Sequence, residues 1–190
     1  MTDPQIVATY SSFLAGLGIR HLVGGSLASS AWGEQRTTND ADFVIELTPA
    51  RVDAYLGALS AGFHVEEGEL REALQSREPF AAFQALYEPV VFKIDNFIAQ
   101  GEWEREQLDR AHRLRIWEDV EVPFASPEDT LIAKCRWFDL GNRASDRQWN
   151  DLLRLYEVQS GRLDRDLIER WLSEFGLLDL WGEIQKQARA

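Results

Sequence analysis

The chain has 190 residues, 45% hydrophobic and 27% charged, which is room for one domain, or one domain with a small appendage, around an ordinary soluble core. A net charge of −12 gives no support to broad electrostatic binding of nucleic acid, which needs a basic surface. The single cysteine, Cys135, excludes a disulfide framework and a thiolate zinc site, and no apolar run reaches the ~18 residues of a membrane span. Met1-Thr2-Asp3-Pro4 lacks the basic start and apolar stretch of a secretion signal, so a cytoplasmic location with no membrane partner is expected.

Residues 3 to 17 carry Ile6, Val7, Tyr10, Phe13, Leu14 and Leu17 at helical spacing. Residues 19 to 23 predict a short strand running into Gly24-Gly25-Ser26, followed by a short helix over 27 to 32 and a loop over 34 to 39. From Asp40 to Leu47 the period is two: Ala41, Phe43, Ile45 and Leu47 alternate with Asp40, Asp42, Val44 and Glu46. Thr48 and Pro49 predict a capped helix reaching Ser60. Strands are predicted over 62 to 66, 79 to 87 and 90 to 98, and helices over 66 to 76 and 102 to 109. Residues 113 to 117 and 120 to 124 predict a hairpin. Arg105, Arg110, Arg113 and Arg115 are interspersed with acids and read as a mixed-charge surface. Ser126-Pro127-Glu128-Asp129 starts a helix, and everything beyond it reads helical. Its apolar stripes are Leu131, Ile132, Cys135 and Phe138; Trp149, Leu152, Leu153 and Tyr156; and Leu163, Leu167, Ile168, Trp171, Leu172 and Phe175. The expected organisation is an α/β (α+β) domain over 1 to 125, with a helical subdomain over 126 to 190 packed against it.

Three features carry chemistry. A glycine turn opening a helix lets backbone amides approach a phosphate, with the Ser26 hydroxyl as a further donor; a plain tight turn has the same composition. Gly-x-Gly-x-x-Gly is absent, and no Gly-Lys-Ser/Thr follows. After thirteen intervening residues Ser26 is followed by Asp40 and Asp42, on one face of an extended strand and able to share a divalent metal. Asp is disfavoured in strands, and two on one edge repel unless a cation intervenes; a solvated strand face is the plain alternative. Val44 replaces the Thr that an Asp-x-Asp-x-Thr phosphatase requires. The third feature is Asp95, a lone carboxylate in the apolar run 90 to 98, on one face with Lys93 and Phe97.

Val23, Gly25-Ser26, Asp40-Ala41-Asp42 and Ile94-Asp95-Asn96 together resemble the nucleotidyltransferase superfamily related to DNA polymerase β. Within it the chain looks most like the bacterial abortive-infection toxin-type (AbiEii-like) group. The likeness rests on Arg36-Thr37-Thr38-Asn39-Asp40-Ala41-Asp42, on the helix from Pro127 to Lys134, and on Arg147 with Asp151. The resemblance implies a mixed β-sheet flanked by helices with a C-terminal helical bundle. It implies a two-metal magnesium site on Asp40, Asp42 and Asp95, with manganese as an alternative ion. The β- and γ-phosphates would lie on Gly24, Gly25 and Ser26, with Arg36 and Lys134 as further nucleotide contacts. The implied activity is transfer of NMP from an NTP, ATP among the candidates, to a hydroxyl on tRNA, a protein or a small molecule. A toxin-type member would have a cognate antitoxin. Two other readings stay open: a non-catalytic nucleotide-binding or regulatory module, and a glycosyltransferase, which the short α/β part fits poorly. Residues 50 to 90 match no motif.

Overall fold

The fold was obtained as a computed structural model, which describes residues 1, 3–34 and 38–188. It divides into two compact units, Met1–Gly24 with Thr38–Phe124, and Gly25–Thr37 with Ala125–Ala190.

The first unit begins with α1 (Asp3–Gly16), which buries Ile6, Val7, Tyr10 and Leu14. Gly18 ends it in the left-handed region at φ +65°. The Gly18 amide donates to Ala15 and the Ile19 amide to Leu14, so the chain folds back over the helix terminus. That leaves only His21–Val23 to form strand β1, two residues shorter than predicted. Then come β2 (Asp40–Ile45), α3 (Val52–Gly57), β3 (Phe63–Val65) and α4 (Glu67–Gln75). They are followed by β4 (Ala82–Tyr87), β5 (Phe92–Ile98), α5 (Glu102–Asp109), β6 (His112–Trp117) and β7 (Val120–Phe124). Thr48 is extended, as a cap should be, but its side chain makes no capping bond, and Pro49 starts a 3-10 turn instead of the α-helix predicted there. The strand predicted from 90 starts at Phe92 because Glu88–Val90 close a 3-10 turn and Val91 is left-handed at φ +55°.

Among the described residues the strands form one seven-stranded sheet in the order β3-β4-β5-β2-β1-β7-β6. It is mixed: β2 runs parallel to β5 and β1 to β7, and the other neighbours are antiparallel. Strand alternation gives the sheet two chemically different faces. One carries Phe43, Ile45, Ile94, Asn96, Phe83 and Ala85, all buried. On it the Tyr10 ring meets Phe43 edge-on at 5.2 Å, and Tyr55 meets Phe83 edge-on at 5.8 Å. A buried polar relay crosses this core. The Tyr55 hydroxyl lies 2.6 Å from that of Tyr10, which donates to Asn96 Oδ1 at 2.9 Å, while Asn96 Nδ2 donates to the Ile94 carbonyl. Because Tyr10 spends its proton on Asn96, Tyr55 is the donor between the two phenols.

His21 is fixed as a neutral ring in the same core. Its Nδ1 faces the Ile19 carbonyl at 2.9 Å and must donate, so Nε2 accepts from the Ser11 hydroxyl at 2.7 Å. Burial holds the ring below the ordinary imidazole range; the Ile19 bond opposes that shift and the Arg113 charge adds to it. The unfolded chain therefore takes up this proton first, and stability is lost as pH falls from ~6.5 towards the depressed native value. Urea titrations at about pH 7 and about pH 5 should show His21→Asn losing less stability on acidification than the wild-type chain.

The second unit is helical: α2 (Gly25–Trp32), α6 (Pro127–Leu140), α7 (Asp146–Gln159), α8 (Arg165–Glu174) and α9 (Leu178–Gln187). Ser126, Ser145 and Asp164 cap three of them, each accepting a first-turn backbone amide. Leu131, Ile132, Cys135, Leu152, Leu155, Ile168, Leu172, Leu180 and Ile184 form its core. Leu155 takes the buried place predicted for Leu153, which is only half-buried. Helix α2 is tied in by the Trp32 indole, which donates to the Ala125 carbonyl at 2.7 Å. Burial pushes the Cys135 thiol up to about 12, so it stays protonated and is no nucleophile. Among the described residues no helix is long and apolar enough to cross a membrane.

Candidate active site

The second face of the sheet carries the three candidate carboxylates. Asp40, Asp42 and Val44 of β2 share that face, and β5 delivers Lys93, Asp95 and Phe97 to it in parallel register. Asp42 stands directly opposite Asp95, and Asp40 opposite Lys93. Adjacent strands are about 4.8 Å apart, so the Asp42 and Asp95 carboxylates are lateral neighbours. Both are half-buried, whereas Asp40 is exposed at the start of its strand. The Thr38 hydroxyl donates to Asp40 Oδ1 and orients that carboxylate.

The glycine turn is fastened to the same strand. The Gly24 amide donates to the Asp42 carbonyl at 2.8 Å, extending the β1–β2 ladder to the first residue of the turn. Gly25 is left-handed at φ +52°, a conformation in which any Cβ would be strained. A Cβ on Gly24 would meet no atom within 4 Å, so the backbone there is open to a close approach. Helix α2 starts at Gly25, two residues earlier than predicted, which puts Gly25 and Ser26 in its first turn, where amides lack intrahelical acceptors. Gly25 and Ser26 belong to the second unit, as does Lys134.

Lys134 lies in α6 and binds Asp151 of α7 at 3.0 Å, with both side chains largely shielded. The acid suggested as an Arg147 partner thus holds Lys134. Arg36 falls outside the described residues.

Gln84 carries no signal in the motif pattern, and Asn96 enters it only as the residue after Asp95. Gln84 of β4 stands opposite Asp95 on the other flank of β5, and its Nε2 donates to Asp95 Oδ1 at 2.9 Å. Asn96, completely buried, anchors β5 through the Tyr10 relay on the opposite face. Polar residues inside otherwise apolar, alternating strands are the trace that each leaves in the sequence.

Among the described residues no three His, Cys, Asp or Glu side chains stand close enough to form a metal cage. Magnesium does not require one, since it is commonly held by one or two carboxylates together with substrate phosphates and water. The hard oxygen donors of Asp42 and Asp95, opposed across one ladder, fit that mode, with Asp40 two residues along the same strand face.

No family model and no curated protein matches the sequence significantly. Solved structures do match. A nucleotidyltransferase-like antigenic protein from Paracoccidioides brasiliensis superposes with a TM-score of 0.59 at 17% identity, covering 96% of this chain and 91% of that one. The antibiotic-resistance factor ANT(2'')-Ia superposes in solution with a TM-score of 0.58 at 12% identity, over 96% of this chain and 99% of its own. In complex with adenylyl-2''-tobramycin it gives 0.60 at 12% identity, over 92% and 99%. The chain therefore has the nucleotidyltransferase fold.

Proposed function

We propose that this protein is a magnesium-dependent nucleotidyltransferase that moves NMP from an NTP to a hydroxyl acceptor. The observation that carries the reading is the register Asp42 opposite Asp95, on a sheet whose Asp42 carbonyl is held by the first residue of the glycine turn. Two like charges facing each other across a ladder are destabilising, and a site that binds a hard cation gives them a purpose. Magnesium, or manganese in its place, held by Asp40, Asp42 and Asp95 with phosphate oxygens, would neutralise phosphate charge and fix the reacting phosphorus.

The chain's own residues do the rest. The Gly25 amide and the Ser26 hydroxyl donate to the β- and γ-phosphates at the positive end of α2, and Gly24, whose own amide is spent on Asp42, leaves room for their close approach. Asp95 accepts the proton of the acceptor hydroxyl. The hydroxyl oxygen bonds to the α-phosphorus as the bond from that phosphorus to the bridging oxygen breaks, and pyrophosphate leaves with the electron pair. Lys134 and Arg36 are the further nucleotide contacts of this reading, Lys134 once it has released Asp151.

A small cationic acceptor is the first to test, because the chain carries a charge of −12 and the ANT(2'')-Ia neighbour is seen with an adenylylated tobramycin. A protein side chain and a tRNA end are the other acceptors, and a toxin-type role in the cytoplasm would add a cognate antitoxin. A non-catalytic nucleotide-binding module is the second reading, favoured by the engagement of Lys134 with Asp151. Incubating the protein with each labelled NTP, magnesium, and either a cationic acceptor panel or a cell extract separates these readings. Nucleotidyl transfer predicts a labelled acceptor, with free pyrophosphate matching it mole for mole. NTP binding without either product across the panel would favour the regulatory module.

A further inference from the structure

We infer that Gln84 is a positioning residue for Asp95, holding the carboxylate so that its second oxygen is presented on the Asp42 side. This inference rests on the nucleotidyltransferase reading. Strand β5 lies between β4 and β2, so Asp95 has Gln84 on one flank and Asp42 on the other, each directly in register. Gln84 Nε2 donates to Asp95 Oδ1 at 2.9 Å, and both side chains are half-buried. With Oδ1 engaged from the β4 side, rotation of the carboxylate about its last bond is restrained, and Oδ2 is left for the β2 side.

The chemistry of the donor matters as much as its place. A lysine or arginine here would also orient Asp95, but it would neutralise the charge that a proton acceptor beside a bound cation must keep. A glutamine amide orients without adding charge. It is also delivered from a rigid element. On the opposite face Ala85 of β4 pairs with Ile94 of β5, both fully buried, and Asn96 is locked by the Tyr10 relay. A side chain carried on a paired strand holds its partner more accurately than one carried on a loop.

The test uses the full chain, with Gln84→Leu, which keeps the bulk and removes the donor, and Asp42→Asn as the reference for the reading itself. Supporting partners of ligating groups typically contribute tenfold to a hundredfold, so Gln84→Leu should lower kcat by about that factor while the KM for the NTP stays at the wild-type value. A second readout needs no turnover. In the ligand-free wild-type protein the Gln84 side-chain amide proton that bonds Asp95 should lie downfield of its free-glutamine position in NMR and exchange slowly, and in Asp95→Ala it should move to the free-glutamine value. A wild-type kcat in Gln84→Leu, or free-glutamine amide signals in the wild type, would overturn the inference. So would a kcat loss matched by an equal loss of folded protein. If wild type transfers NMP, Asp42→Asn does not and Gln84→Leu equals wild type, only the role of Gln84 fails. If wild type itself transfers nothing, the function and this inference fall together.

Discussion

Asp42→Asn is expected to lower NMP transfer by about a hundredfold to a thousandfold and to remove metal-dependent binding of an α,β-methylene NTP, with the fold intact. The substitution keeps the side-chain volume and deletes one negative charge from the position opposite Asp95. The backbone bond to Gly24 and the buried face of the strand are untouched. The Gly24 amide bonds to the backbone carbonyl of residue 42, and the neighbouring side chains Ala41 and Phe43 face the buried core. A half-buried polar position of this kind should change unfolding free energy by less than about 1 kcal/mol. Activity and stability thus separate sharply, which a purely structural role for Asp42 would not produce. Calorimetric titration of manganese with the methylene analogue, alongside a urea melt, reads both.

The largest effect on stability is expected at Tyr10. Its ring is fully buried among Phe13, Phe43 and Phe63, and its hydroxyl is the middle member of the Tyr55–Tyr10–Asn96 relay. Tyr10→Ala should cost about 3–5 kcal/mol, the range for removing a large aromatic from a packed core. Tyr10→Phe keeps the ring and leaves Asn96 Oδ1 and the Tyr55 hydroxyl without their partner, which should cost about 1–3 kcal/mol. Urea denaturation of the two variants separates ring from hydroxyl. If Tyr10→Phe matched wild type, the relay would contribute nothing to stability. Because Asn96 neighbours Asp95 on the same strand, the relay also fixes the backbone from which Asp95 projects to the other face.

The site's first strand is visible in the sequence because its period of two is local: Phe43 and Ile45 on one side, Asp40 and Asp42 on the other, need no knowledge of a partner. The helix cap at Ser126 is equally local and is formed as read, with Ser126 Oγ accepting from the Asp129 amide at 3.0 Å. The register that brings Asp95 beside Asp42 is a different kind of information. It depends on a parallel crossover through α3, β3, α4 and β4, and strand spacing along the chain does not encode it. Gln84 escapes notice for the same reason, since its meaning comes from a neighbour 11 residues away, across an antiparallel ladder. Thr48 shows the opposite error. A good capping residue before a proline suggests an α-helix, yet the first turn is 3-10 and the hydroxyl makes no cap. Helix α2 reads from sequence as part of the α/β half, but the burial of Ala28 and the indole bond of Trp32 place it with the helical unit. Short amphipathic helices do not say which core will cover them.

The most direct test of the central claim is the fate of label placed at either the α- or the γ-phosphorus of an NTP, with magnesium and the acceptor mixture. Nucleotidyl transfer predicts label on the acceptor from the α position only, with the γ label recovered as pyrophosphate and both products lost in Asp42→Asn. Transfer of the γ label to the acceptor, or α-label transfer that persists in Asp42→Asn, would contradict the account.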